Sequence, residues 1–123
     1  MDRFLKEYDR YVFEDWGTVC SPDFKSFARK FKNYLKRSLP EGYKVVGHRC
    51  GHYDLSGFVE NNGKYVYYSW YWNRGSQPID LASPDMNNHV LYRRAENEKD
   101  YRGGGNHFCS VQDLPKEIAG MLS

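Results

Sequence analysis

Histidine and cysteine carry the reactive chemistry of this sequence, and two short stretches gather most of them. "GHRCGHYD", residues 47–54, places His48, Cys50, His52 and Asp54 at alternate positions, and "NHFC" repeats the His-x-Cys spacing with His107 and Cys109. Imidazole and thiolate are zinc ligands, and two His-x-Cys pairs hold four donors. The spacings that mark zinc sites, CxxC or HxxxH in repeated pairs, are absent. On one continuous strand, His48, Cys50, His52 and Asp54 would share a face. Cys50-Gly51 instead reads as the turn of a hairpin, with Gly51 supplying a positive φ. Arg49 then faces His52 and His48 faces Tyr53, so His48 points to the core and His52 away from it. The cluster is divided, and neither a metal nor another cofactor is expected.

The same histidines suit a second chemistry. His52 and His107, with His89 as a further candidate, have the residue type for acid–base cleavage of RNA, given a Lys or Arg to steady the phosphate. No local pattern pairs any two of them. Neither a G-x-G-x-x-G nor a Walker pattern is present, but "RGGGNH", residues 102–107, offers successive backbone amides beside Arg102. Such a nest suits an anion, and Asp100, Tyr101, Asn106 and His107 crowd around it.

These groups need a scaffold, and the clearest element is a helix in "SPDFKSFARKFKNYLKRSLP". Ser21 is the expected N-cap, Pro22 takes the first helical position and Asp23 puts a negative charge at the positive end of the dipole. Phe24, Phe27, Ala28, Phe31 and Leu35 form one apolar stripe, and Pro40 stops the helix. The opposite face carries Lys25, Arg29, Lys32 and Lys36, with Lys30 and Arg37 beside them; no acid follows Asp23 before Glu41. Six cations without a compensating acid predict contact with an anionic partner.

Residues 43–72 read as a three-stranded antiparallel meander. Asn62-Gly63 is a type I′ hairpin signal, because both turn positions need φ > 0. It sets Asn61 opposite Lys64, Val59 opposite Val66, Phe58 opposite Tyr67, Gly57 opposite Tyr68 and Leu55 opposite Trp70. One face then holds Leu55, Val59, Val66, Tyr68, Trp70 and Trp72 and should pack on the Phe-rich helix. The other holds Asp54, Ser56, Phe58, Tyr65, Tyr67, Ser69 and Tyr71. Either the N-terminal helix or the 73–88 segment covers this second face, or Phe58, Tyr65, Tyr67 and Tyr71 form a tyrosine-rich surface for a protein partner or for stacked bases.

The remaining elements are shorter. Residues 4–16 have helical spacing at Phe4, Leu5, Tyr8, Tyr11 and Val12. "HVLYRRA" is a candidate fourth strand. "SVQDLPKEIAGML" is a short C-terminal helix with Ser110 or Asp113 as cap, Pro115 in its first turn, and Leu114, Ile118, Met121 and Leu122 on its apolar side. The expected fold is a single α+β domain over residues 1–123: a small antiparallel sheet of three to four strands, helices packed on one face, in the order α-α-β-β-β-(β)-α.

Bulk properties narrow the class further. Aromatic residues make up 17% of the chain, so rings do core work that Leu, Ile and Val usually do. A net charge of +2 points to no partner by itself. Three cysteines without framework spacing argue against a secreted disulfide scaffold. The charged N-terminus is no signal peptide, and no apolar run approaches a membrane span. A soluble protein of the bacterial cytosol is expected.

The α-β-β-β-α order resembles the double-stranded RNA-binding domain, but the basic signature of that family's last helix is replaced by "DLPKEIAGML". The segments "LPEGYKVVGHRCGHYDLSGFVENNGKYVYYSW", "VLYRRAENEKDYRGGGNHF" and "SVQDLP" resemble small proteins of unassigned function carried by phages, plasmids and conjugative elements of Firmicutes. That resemblance spans roughly residues 39–115. It implies an anti-defence protein of the anti-CRISPR kind: a non-catalytic inhibitor that blocks the contacts of a type II CRISPR effector nuclease or of its guide RNA. The alternative is an RNA-binding protein or metal-independent ribonuclease using the basic helix and the Gly-rich loop. Residues expected to meet a partner are Lys25, Arg29, Lys30, Lys32, Lys36, Arg37, Phe58, Tyr65, Tyr67, Tyr71, Tyr101, Arg102, Asn106 and His107.

Overall fold

A computed structural model describes residues 2–12, 22–51, 54–71, 78–81, 89–102 and 104–123. In chain order the elements are α1 (Arg3–Tyr8), α2 (Pro22–Ser38), β1 (Lys44–Cys50), β2 (Asp54–Asn61), β3 (Lys64–Tyr71), β4 (His89–Ala95), β5 (His107–Ser110) and α3 (Leu114–Leu122). The five strands form one antiparallel sheet in the order β1-β2-β3-β4-β5. The α+β class holds, with one strand more than the upper expectation: "HFC" with Ser110 pairs with β4 as β5. Two strands beyond β3 also set the order apart from the double-stranded RNA-binding domain. No helix among the described residues is long and apolar enough to cross a membrane.

Helix α2 follows from its sequence. Pro22 begins it, Asp23 lies in its first turn, and Phe24, Phe27, Ala28, Phe31, Tyr34 and Leu35 are its buried residues. The expected cap, Ser21, lies outside the described residues. The α2 rings meet Phe4 and Tyr8 of α1 and Tyr68 and Trp70 of β3 in a chain of aromatic contacts at centroid separations of 4.9–6.2 Å. Each fully buried ring of this kind contributes roughly 1.5–3 kcal/mol of transfer free energy, so this cluster dominates the core. Helix α1 ends at Tyr8, earlier than the periodicity of residues 4–16 suggests. Beyond it the backbone pairs as a strand would: Arg10 N–H donates to Ile79 C=O and Ile79 N–H to Tyr11 C=O, both at 2.8 Å. Ile79 and Leu81 are buried in the same core.

The β2–β3 register is the expected one at every position: Asn61 opposite Lys64, Phe58 opposite Tyr67, Leu55 opposite Trp70. Asn62 and Gly63 have φ of 54° and 80°, as a type I′ turn requires. Trp72 lies outside the described residues.

The β1–β2 hairpin corrects the expected turn. Strand β1 runs through Cys50, which pairs with Leu55, and Arg49 pairs with Ser56 rather than His52. The hairpin closes where Gly51 N–H donates to Asp54 C=O at 2.7 Å. His52 and Tyr53 lie outside the described residues. The register shifts between Val46 and Arg49, so Gly47 and His48 together stand opposite Gly57. Gly47 takes φ of 62°, the left-handed first position of a G1 bulge. This extra residue reverses the alternation: Val45 and His48 both face the helices, and Arg49 faces the other side.

Helix α3 begins at Leu114 with Pro115 in its first turn. Asp113 precedes it without a side-chain cap bond; instead Ser110 Oγ accepts from Asp113 N–H at 3.1 Å. The Tyr34 hydroxyl reaches the carbonyls of Val111 and Gln112 at 3.3 and 3.0 Å and ties α2 to this corner.

Candidate functional site

The six cations of α2 do not form one face. Helix α1 lies along one flank and supplies acids that local sequence does not place there. Lys30 Nζ donates to Glu7 Oε1 at 2.7 Å. Arg37 engages Asp2 through Nε at 3.2 Å and Nη2 at 2.7 Å. The hydrogen bond to Glu7 holds the Lys30 ammonium above its ordinary pKa. Asp2 in turn is held below the usual carboxylate range, chiefly by the Arg37 hydrogen bond. Exposed pairs like these contribute about 0–1 kcal/mol, so their effect is to fix positions and neutralise charge rather than to stabilise strongly.

The other flank is different. Lys25, Arg29, Lys32 and Lys36 follow one another at i, i+4, i+7 and i+11, and none has a salt-bridge partner among the described residues. At 1.5 Å rise per residue the stripe is roughly 16 Å long. Lys25, Arg29 and Lys36 are exposed and Lys32 half-buried. Apart from Arg29, which also borders the cleft toward α1, this stripe lies on the flank away from α1, where α2 packs over the edge strand β1.

The histidines are dispersed. His48 sits beneath α2 with both ring nitrogens engaged: Nδ1 lies 2.7 Å from the Tyr68 hydroxyl and Nε2 3.1 Å from Ala28 C=O. Nε2 donates to the carbonyl, and Nδ1 accepts from the tyrosine. Burial pushes its pKa down, against the opposing hydrogen bond to Ala28, and Lys32 pushes the same way as burial. His107 is exposed on β5, stacked on Tyr92 at 5.4 Å, while His89 packs on Phe108 at 4.5 Å. β5 is the opposite edge of the sheet from β1, roughly 19 Å away over four strand spacings. The pairing of His107 with the basic stripe is therefore not assembled. His52 lies outside the described residues. Cys109 is buried, and its burial first, then the Glu117 charge, raises its thiol to about 12. Among the described residues no three His, Cys, Asp or Glu side chains group as a metal site would.

The centre of the sheet's second face is covered by the loop after β4, which is neither of the two segments expected there; of the 73–88 segment only residues 78–81 are among those described. The loop after β4 folds back, and Tyr101 packs edge-on against Phe58 at 5.3 Å and Tyr67 at 5.9 Å. Arg49 lies over the Tyr101 ring at 5.2 Å, and Arg93 over Tyr67 at 4.6 Å. Arg93 is itself buried, donating to Asp100 C=O at 2.9 Å. Phe58 is fully buried and offers no surface to a partner, which corrects its place among the contact residues. Tyr65 and Tyr67 are half-buried, and Tyr71 remains open at 57% exposure.

The Gly-rich loop is also partly self-occupied. The Asp100 carboxylate accepts from the backbone amides of Glu96 at 3.0 Å and Arg102 at 3.3 Å. These amides, with Arg93 as a minor influence, hold the carboxyl below its ordinary pKa. Of the expected nest over 102–107, the Arg102 amide is thus already taken by one of the chain's own carboxylates, and Gly103 lies outside the described residues. Arg102, Asn106 and His107 stay exposed around it.

Local patterns miss Arg3, Glu7 and Asn33, which line the α1–α2 side, and Arg49 and Arg93, which close the aromatic face. Arg3 and Glu7 at i, i+4 on α1 are the only sequence trace of the first group. No family model matches the chain, and neither a curated protein nor a solved structure matches it.

Proposed function

We propose that this chain is a non-catalytic binding protein, an inhibitor of a host defence effector of the type II CRISPR kind, that acts by occupying contacts between the effector and its guide RNA. The observation that carries the reading is the stripe of Lys25, Arg29, Lys32 and Lys36, unneutralised among the described residues along one flank of a helix otherwise locked into the core. Cations presented at helical repeat on a rigid element favour a phosphate backbone or the surface that binds one, and their contribution falls steeply with salt. Tyr71, exposed at the end of β3, adds a ring suited to an interface. Direct RNA binding without an effector is the second reading, favoured by the same stripe. Ribonuclease action has less support, because His107 stands at the far sheet edge from the stripe; the other candidate, His52, lies outside the described residues.

The test is a target-cleavage assay with a purified type II effector loaded with guide. Inhibition should saturate near one equivalent, leave the guide intact and be lost with K25E/R29E/K32E, a variant whose melting temperature stays close to the parent's. Inhibition indifferent to the charge reversal at low salt sinks the stripe. Catalytic loss of guide RNA sinks the inhibitor reading in favour of the nuclease.

A further inference from the structure

Between α1 and α2 lies a groove of about 540 Å³, open to solvent and separate from the stripe except at Arg29. Arg3 and Glu7 form its α1 wall, and Arg29, Lys30, Asn33 and Arg37 its α2 wall, over the buried ring of Phe4. Four cations border it, and the acids that answer them, Glu7 and Asp2, leave a surplus of two positive charges. The two ion pairs hold Lys30 and Arg37; Arg3 and Arg29 have no salt-bridge partner among the described residues. Asn33, exposed midway between Arg29 and Arg37 on the helix, adds a neutral donor and acceptor.

We infer that this groove binds a small phosphate monoester of nucleotide size. The charge surplus matches a group that carries close to −2 at neutral pH. Guanidinium forks suit its several oxygens better than ammonium groups do, and Arg3, Arg29 and Arg37 surround the space. The volume exceeds what a phosphate alone fills and falls in the range of small-ligand clefts. A backbone phosphodiester carries one charge and two flanking sugars, and it fits the open stripe better than a walled groove. The inference stands apart from the inhibitor reading: either can fail without the other.

The experiment is isothermal titration of the full chain with adenosine 5′-monophosphate, inorganic phosphate and adenosine at two salt concentrations. The monophosphate should bind at one equivalent, inorganic phosphate more weakly, and adenosine not at all. R3Q and N33D, both on exposed positions, should each weaken the monophosphate tenfold or more, whereas K25E/K32E/K36E should change it less than twofold. No saturable binding of the monophosphate, equal binding of adenosine, or an effect of K25E/K32E/K36E as large as that of N33D overturns the site.

Discussion

The Tyr68 hydroxyl donates to His48 Nδ1 at 2.7 Å beneath α2, while His48 Nε2 donates to Ala28 C=O at 3.1 Å. One neutral imidazole thereby joins the sheet to the middle of the basic helix. A second proton on the ring would fall on Nδ1, against the tyrosine oxygen, and leave the Tyr68 hydroxyl hydrogen without its acceptor. Folding therefore favours the neutral ring, and burial lowers its pKa from the usual 6.5.

The sign of the pH dependence follows. Below the ordinary histidine pKa the unfolded chain takes up a proton that the folded one resists, so stability is full above about pH 6.5 and declines as pH falls further. Melting temperature should be flat between about pH 8 and pH 7 and fall toward pH 5, and His48→Gln should flatten that fall. An unchanged slope in the variant removes His48 as its cause.

Gly57 makes room for this pair. A Cβ there would stand 2.5 Å from the Tyr68 hydroxyl oxygen, 2.8 Å from its Cζ and 3.0 Å from His48 Cα. Gly57→Ala should cost about 1–3 kcal/mol in urea denaturation. The cost should shrink in a Tyr68→Phe background, where the closest atom is gone, with a coupling of at least ~0.5 kcal/mol. Strict additivity would show that the clash is relieved elsewhere.

Tyr101 is 44% exposed yet closes the aromatic face by contacts with Phe58, Tyr67 and Arg49. Tyr101→Ala should destabilise the fold by about 1–2 kcal/mol, summed over the ring pairs and the cation–π contact. A loss below ~0.5 kcal/mol, within the range of an ordinary surface substitution, would mean that the loop does not hold the face closed.

The cysteines should separate by reactivity. Cys50 is exposed, whereas Cys109 is buried with its thiol pushed up to about 12, so almost no Cys109 thiolate forms at pH 8. Brief alkylation read by peptide mass spectrometry should mark Cys50 and spare Cys109 until denaturant is added. Equal labelling in the native state contradicts the burial of Cys109.

Local physics was enough for part of this structure. The 3.6-residue stripe of Phe24, Phe27, Phe31 and Leu35 and the Pro22 start specify α2. Asn62-Gly63 admits one turn type, and period-2 alternation then assigns every residue of β2 and β3 to a face. Cys50-Gly51 is not the turn, because two devices are available to the chain there. A glycine at position 51 suits a turn, but the glycine at 47 takes the positive φ and shifts the register before that turn is reached.

The sequence by itself determined the α+β class, the Phe-rich helix, the central hairpin and its two faces, because each depends on residues within a few positions of one another. Tertiary structure alone decided which cations stay unneutralised, since Asp2 and Glu7 meet Arg37 and Lys30 across 35 and 23 residues. It also decided that the loop at Tyr101 covers Phe58 and that the inward direction of His48, expected from the hairpin, comes from the Gly47 bulge. Those outcomes rest on charges, rings and strand register brought together by long-range packing, and a local pattern of residue types does not encode that distance.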